Sequence, residues 1–168
     1  MPVADDDTSR RLLKPMVLAK LAQAAEIRAG DTVLDVGCAT GYSSAVLAQL
    51  AGEVVALEED ADLARQAEKN LAALDIRNVP IVRGPLVAGW SERAPYDAIL
   101  VNGASEVVPE DLCRQLRDGG RLVCVLGRAP AGKAMVFLRG SGETSGRQIF
   151  DAAAPVLPGF TKPQAFVF

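Results

Sequence analysis

An acidic residue two positions ahead of a glycine, with a second acidic residue at the end of the following strand, is the most chemically pointed arrangement in this sequence. The run Val33-Leu34-Asp35-Val36-Gly37-Cys38-Ala39-Thr40-Gly41-Tyr42 falls where an apolar strand hands over to a helix. In a doubly wound sheet that is the crevice where ligands bind. Gly37 and Gly41 let a ligand approach the backbone closely, and the N–H groups that open the next helix favour a carboxylate or phosphate there. A dinucleotide loop requires G-x-G-x-x-G. Here the spacing is Gly37-x-Ala39-x-Gly41, and Tyr42 stands where the third glycine belongs. Asp35 suits S-adenosylmethionine better, because a carboxylate at that position attracts the cationic amino-acid part of that cofactor. Glu58, closing the next apolar run, can accept hydrogen bonds from both ribose hydroxyls, with Glu59 and Asp60 beside it as rival acids.

Composition narrows the chemistry. The chain has 168 residues, of which 49% are apolar, enough for one domain with a substantial core. It contains no histidine, which excludes Ser-His and Cys-His hydrolases and any imidazole base. Cys38, Cys113 and Cys124 are widely spaced and form no CxxC pair, so no metal site is expected. A reduced, cytoplasmic setting follows from such cysteine usage. The acidic start, with Asp5, Asp6 and Asp7, lacks the apolar run of a signal peptide, and no stretch of about 18 apolar residues suggests a membrane span. A net charge of −3 gives no footprint for nucleic acid. Arg10, Arg11 and Lys14 form a small basic cluster that reads as a solvated helix end.

The elements that must hold the two acids alternate along the chain. Residues 1–9 read as a flexible acidic tail. A helix is expected over 15–27, with Pro15 in its first turn, and further helices over 42–50, 62–74 and 110–116. In the helix over 62–74, Leu63, Ala67, Leu71 and Leu74 share a face, and Asp60 or Asp62 can cap its start. Strands are expected over 32–36, 53–57, 79–82, 98–101 and 121–126. Apolar strands alternating with helices argue for βαβ units and a parallel sheet covered on both faces. After Gly127 the pattern changes. Residues 134–139 and 147–153 read as an antiparallel hairpin around a polar turn, and 165–168 as a last short strand. Trp90 is read as a packing anchor, Met16 and Tyr96 as core or strand-edge residues, Ser105 as a turn or substrate contact, and Lys133 as the start of a strand.

Beyond the loop, the chain resembles the protein-L-isoaspartate O-methyltransferases over roughly residues 12–127. The resemblance rests on Lys14-Pro15-Met16-Val17, on 33–46 with its Gly-Tyr-x-x-Ala-Val, on Glu58 and on Lys69-Asn70-Leu71. It continues in Gly84-x-x-x-x-Gly89-Trp90 and Ala94-Pro95-Tyr96-Asp97-Ala98-Ile99, and in Val108-Pro109-x-x-Leu112-x-x-Gln115-Leu116-x-x-Gly119-Gly120-Arg121-Leu122. The tail Ala154-Pro155-Val156-Leu157-Pro158-Gly159 loosely echoes the family's closing Val-Pro-Leu. The resemblance implies a Rossmann-like three-layer α/β fold, with a mostly parallel seven-stranded sheet ending in an antiparallel hairpin, over a single domain. It also implies S-adenosylmethionine as methyl donor, S-adenosylhomocysteine as product, and methylation of a carboxylate at damaged aspartyl sites of proteins or peptides. Carried over by position, Asp35, Val36, Gly37, Cys38, Ala39, Gly41, Tyr42, Glu58 and Glu59 would surround the cofactor. Gly84, Pro85 and Leu86 would lie against its adenine. Asp35, Asn102 and Gly103, with Ala104, would form the reaction site, and Asn102 would also touch the cofactor.

Three departures accompany the resemblance. The family's Thr-Ile-Ser-x-Pro reads Arg11-Leu12-Leu13-Lys14-Pro15 here, so Leu13 replaces a serine whose hydroxyl meets the reacting carboxylate. Its Gly-Asp-Gly reads Gly84-Pro85-Leu86, which removes the aspartate expected at the adenine amino group, and Pro85 has no N–H either. The family also carries helix ahead of this point, so part of the substrate cleft is expected to be missing. A carboxylate acceptor is already ionised at neutral pH and needs no base, which fits a chain without histidine. The alternatives are a catalytically degenerate S-adenosylmethionine-binding module and a methyltransferase acting on RNA or a small molecule.

Overall fold

The computed structural model describes residues 10–165. Its first helix, α1 (Pro15–Ala24), opens on Pro15, whose missing N–H costs nothing in the first turn. It buries Leu18, Leu21 and Ala22. β1 (Thr32–Val36) leads through the glycine loop into α2 (Tyr42–Ala48), and β2 (Glu53–Glu58) into α3 (Ala61–Ala73). Asp60 caps α3, its Oδ1 accepting from the N–H groups of Asp62 and Leu63 at 2.8 and 3.0 Å. β3 (Ile81–Arg83) is followed by single 3-10 turns at Leu86–Ala88 and Ser91–Arg93. Then come β4 (Tyr96–Ser105), the one-turn α4 (Glu110–Cys113), β5 (Leu116–Leu126), β6 (Lys133–Gly140) and β7 (Glu143–Asp151).

The seven strands form one sheet in the order β3-β2-β1-β4-β5-β6-β7. The pairs from β3 to β5 are parallel, and the last two are antiparallel. The chain reverses direction outward from β1 at β4, so the ends of β1, β2 and β4 meet at a switch point where ligands bind in open α/β sheets. Side chains alternate between the two faces. Val33, Val54, Leu100 and Val123 face α1 and α2, while Ala56 meets Ala67 of α3. Leu34, Val36, Leu57, Ile99 and Val101 face the other way. There the cover is thin: Leu86, Leu112 of α4, and the returning tail with Leu157 and Phe160. Both faces of the parallel strands are thus apolar, as their near-continuous Val, Leu and Ala composition requires.

Several expected boundaries shift. The helix expected over 110–116 is one turn long, because Leu116 pairs with Tyr96 in the sheet and the Gln115 carbonyl accepts the Tyr96 N–H at 2.8 Å. β3 starts two residues later than expected. α3 stops at Ala73, ahead of Asp75 with its positive φ of 54°, so Leu74 is exposed instead of closing the apolar face. Met16 is also exposed, not core, whereas Tyr96 is fully buried. Lys133 opens β6 and pairs with Asp151. Ala165 belongs to no strand, and the rest of the expected 165–168 strand, like the 1–9 tail, lies outside the described residues.

Candidate active site

The register of the parallel strands brings the two sequence-predicted acids to one level. Val36, one residue past Asp35, pairs with Leu57, one residue before Glu58, and with Val101, one residue before Asn102. The loop between β1 and α2 is shaped by backbone more than by side chains. Gly37 and Gly41 have φ of 78° and 91°, and Ala39 has φ 49°. A left-handed Ala is strained and persists only where neighbours hold it. The Ala39 N–H donates to Glu58 Oε2 at 2.8 Å, and the Gly37 and Cys38 N–H groups donate to the Leu57 carbonyl. A Cβ on Gly41 would sit 3.3 Å from the Cα and Cβ of Ala67, so this glycine serves the approach of α3.

Asp35 is fully buried with its oxygens engaged. Ser43 and Ser44 donate their hydroxyls to Oδ2 at 2.7 and 2.6 Å, and the Asn102 side-chain amide donates to Oδ1 and to the Ser43 hydroxyl. Burial pushes the carboxyl up to about 6 against the pull of those donors, and the nearby Glu58 adds a small push the same way. These contacts turn the Asp35 side chain toward α2 and β4. It spends its hydrogen-bonding capacity on these two elements, behind the glycine loop.

Glu58 is fully buried and accepts from every side. Oε1 takes the N–H groups of Glu59 and Asp60 at 3.0 and 3.1 Å, Oε2 takes that of Ala39, and both oxygens pair with Arg10 at 2.9 Å. The three neighbouring acids differ in geometry: Glu58 points into the loop, Asp60 caps a helix, and Glu59 donates its N–H to the cluster. Arg10 is the residue that sequence reasoning misplaced. It is not part of a solvated helix end; its side chain is only 15% exposed and fills the space over Gly37. A Cβ on Gly37 would lie 2.9 Å from Arg10 Nη2, 3.2 Å from Leu157 Cδ1 and 3.5 Å from Leu86 Cδ1. No periodicity links residue 10 to residue 58, and an arginine beside a helix start usually faces water.

The remaining predicted positions divide. Gly84 packs against Trp90, Pro85 opens the 3-10 turn and is exposed, and Leu86 reaches the Gly37 region from below. Gln115 ties this stretch down, accepting the Trp90 N–H at 2.9 Å and donating to the Ala88 carbonyl at 2.7 Å. Gly103 faces the C-terminal return, where a Cβ would sit 2.6 Å from Leu157 Cγ. The Ala104 N–H donates to the Pro155 carbonyl at 2.8 Å and the Leu157 N–H to the Ala104 carbonyl at 3.0 Å. Ser105 is the last residue of β4, paired with Leu126, and its hydroxyl bonds the Val107 backbone. Val36 is core, and the Cys38 thiol is buried and pushed well up by that burial. Tyr42 is turned outward, 47% exposed. It lines a groove of about 480 Å³ that runs from Thr40 and Gly41 of the loop to Leu12, Ala45 and Leu74. Leu13 packs with α1 in the core. Among the described residues no group of His, Cys, Asp and Glu is placed to hold a metal ion.

The strand order, the glycine loop and the acid at the tip of β2 define a Rossmann-like α/β protein of the methyltransferase type. The family model described as protein-L-isoaspartate(D-aspartate) O-methyltransferase matches residues 3–152, and the chain belongs to that family. It is 45% identical over 118 residues to the protein-L-isoaspartate O-methyltransferase of a Synechococcus strain, an alignment covering 70% of this chain and 48% of the relative. It is 36% identical over 137 residues to protein-L-isoaspartate O-methyltransferase 2 of Pelobacter propionicus, covering 82% and 61%. The chain thus spans about half to three-fifths of the length of these curated relatives. A solved protein-L-isoaspartate O-methyltransferase superposes with a TM-score of 0.79 at 27% identity, over 86% of this chain and 47% of that one. A Plasmodium falciparum protein solved in complex with S-adenosyl-L-homocysteine shares the fold, with a TM-score of 0.69 at 21% identity over 84% and 71%.

Proposed function

We propose that this chain is an S-adenosylmethionine-dependent O-methyltransferase acting, as one domain, on the isoaspartyl carboxylate of damaged proteins or peptides. The observation that carries the reading is Glu58, a buried carboxylate at the tip of β2 that already receives two parallel N–H donors beside the Gly37 turn. Family membership supplies the reaction class. The residues suit such a cofactor: Glu58 would accept the ribose hydroxyls, Gly37 would let the nucleoside lie on the backbone, Leu86 would offer an apolar wall, and Asp35 would bias the region toward positive charge. When bound, the cofactor supplies an activated methyl group. The protein's part is to align a carboxylate with it and exclude water, with Asn102 and Gly103 of β4 as the residues that would line the reaction site. No proton has to be removed from an ionised carboxylate, so the absence of histidine is no obstacle. The reading places the activity in the cytoplasm, without nucleic-acid or membrane partners. The three buried free thiols fit a reducing compartment, and no described helix is long and apolar enough to cross a membrane.

The test is incubation with methyl-labelled S-adenosylmethionine and a peptide carrying one isoaspartyl residue, beside its aspartyl counterpart. An alkali-labile methyl ester on the isoaspartyl peptide alone is expected, and Glu58→Gln should abolish it. A second reading, a cofactor-binding domain without transfer activity, is favoured by one observation. Leu13, at the position of the family's serine, lies in the core at 6% exposure and offers no hydroxyl. Cofactor binding without any ester would decide for it.

A further inference from the structure

The Arg10–Glu58 pair sits where the cofactor reading needs open space. Arg10 presents two N–H donors, one to each carboxylate oxygen, both at 2.9 Å. A vicinal diol presents two hydroxyl donors to a carboxylate in the same side-by-side way. The guanidinium also lies over Gly37, close enough that Nη2 would stand 2.9 Å from a Cβ there. On the far side Leu157 and Leu86 complete the closure. The occupant is ionic, bidentate and mostly out of water, with 15% side-chain exposure for Arg10 and none for Glu58. Such pairs are among the stronger hydrogen-bonded contacts in proteins.

We infer that Arg10 is a built-in competitor for the cofactor site, a guanidinium that takes the place of the ribose diol on Glu58 and must withdraw before the nucleoside can bind. The inference rests on the proposed cofactor reading of the Gly37 loop. The competent, open form is only a fraction of the population, and the apparent dissociation constant is raised by that fraction. Withdrawal breaks a buried ion pair, which is the cost the cofactor must offset; the N–H groups of Ala39, Glu59 and Asp60 stay on Glu58, the freed guanidinium enters water, and the ribose hydroxyls refill the two vacated acceptor positions. Cofactor affinity is thus coupled to the position of the segment leading into α1, so anything that holds that segment away from Glu58 switches the site on.

The experiment is calorimetric titration of S-adenosylhomocysteine into the full 168-residue chain and into Arg10→Ala and Arg10→Lys. Circular dichroism confirms that each variant folds. Arg10→Ala should bind about tenfold more tightly than the parent. Arg10→Lys should fall between them, since an ammonium keeps the charge but loses the paired fork. Trypsin gives a second readout. Saturating S-adenosylhomocysteine should speed cleavage between Arg10 and Arg11 several-fold, as the Arg10 side chain becomes free to enter the protease. Binding by Arg10→Ala that is equal to or weaker than the parent's overturns the competitor, as does unchanged cleavage after Arg10 in a chain known to be saturated. If neither the parent nor folded Arg10→Ala binds S-adenosylhomocysteine, the cofactor reading of the loop falls and takes this inference with it. That outcome is distinguishable, because in the first two cases the parent binds.

Discussion

Asp35 sets a pH dependence that belongs to one side chain. Its carboxyl titrates near 6 in the folded protein against an ordinary value of 3.8, chiefly through burial. Between these values the native state holds a proton that the unfolded chain has lost. Stability therefore falls as pH rises through the window and stays lower above it. The full effect is on the order of 2–3 kcal/mol at about 1.36 kcal/mol per pH unit. Asp35→Asn should flatten that slope between about pH 4 and pH 6 in urea melts; an undiminished slope would refute the assignment. Glu58 behaves differently. Glu58→Ala strips an acceptor from the N–H groups of Ala39, Glu59 and Asp60, and should destabilise the protein by about 2–4 kcal/mol in denaturant titration. Both acids are legible in the sequence, because their positions at strand ends follow from a period any reader can count. Their partners are less so. Ser43, Ser44 and Asn102 converge on Asp35 only through the β1–β4 register, and Arg10 reaches Glu58 from 48 residues away.

At the scale of elements, two short connections hold the site's rim. Gln115 pins the 86–90 turn through both ends of its amide. Gln115→Ala should cost about 1–3 kcal/mol and shift the emission of Trp90, the single tryptophan, to longer wavelength as the ring becomes wetter. Unshifted emission would show that the turn holds itself. The C-terminal return is held against β4. Gly103→Ala would drive a methyl into Leu157 Cγ at 2.6 Å and the Pro155 carbonyl at 2.9 Å. Overpacking of this kind costs about 1–3 kcal/mol, and here it should emerge as faster proteolysis within 154–160 ahead of any loss of sheet. The strands from β1 to β6 are readable from their apolar runs, whereas β7 is largely polar and exposed and begins at Glu143, ahead of the expected 147–153 segment. Sequence over-extends α4, because local helix signals at Pro109 and Glu110 cannot report that Leu116 is claimed by Tyr96. It likewise cannot reveal that 154–160 packs on β4, since two apolar residues, Leu157 and Phe160, and a few backbone hydrogen bonds carry no periodic signal.

For the molecule as a whole, the seven-stranded sheet separates a well-covered face from a lightly covered one. The buried cysteines report on both: Cys38 lies under the loop, while Cys113 and Cys124 lie in the thinner layer. Burial pushes the thiols of Cys113 and Cys124 up to about 11 and about 12, so none should react with a thiol reagent in the native state. Labelling of Cys113 and Cys124 should track global unfolding, and Cys38 should label earlier only if the loop opens on its own. The lightly covered face has a further consequence. Its lid over the Gly37 bend is a short stretch of chain that crosses back after the last strand, fixed by Leu157, Phe160 and a few main-chain bonds to Ala104 and Glu106. A single nick in the passage between Asp151 and Pro155 would loosen the cover over that bend while leaving the sheet standing, so the loop could be laid bare in a molecule that is not denatured.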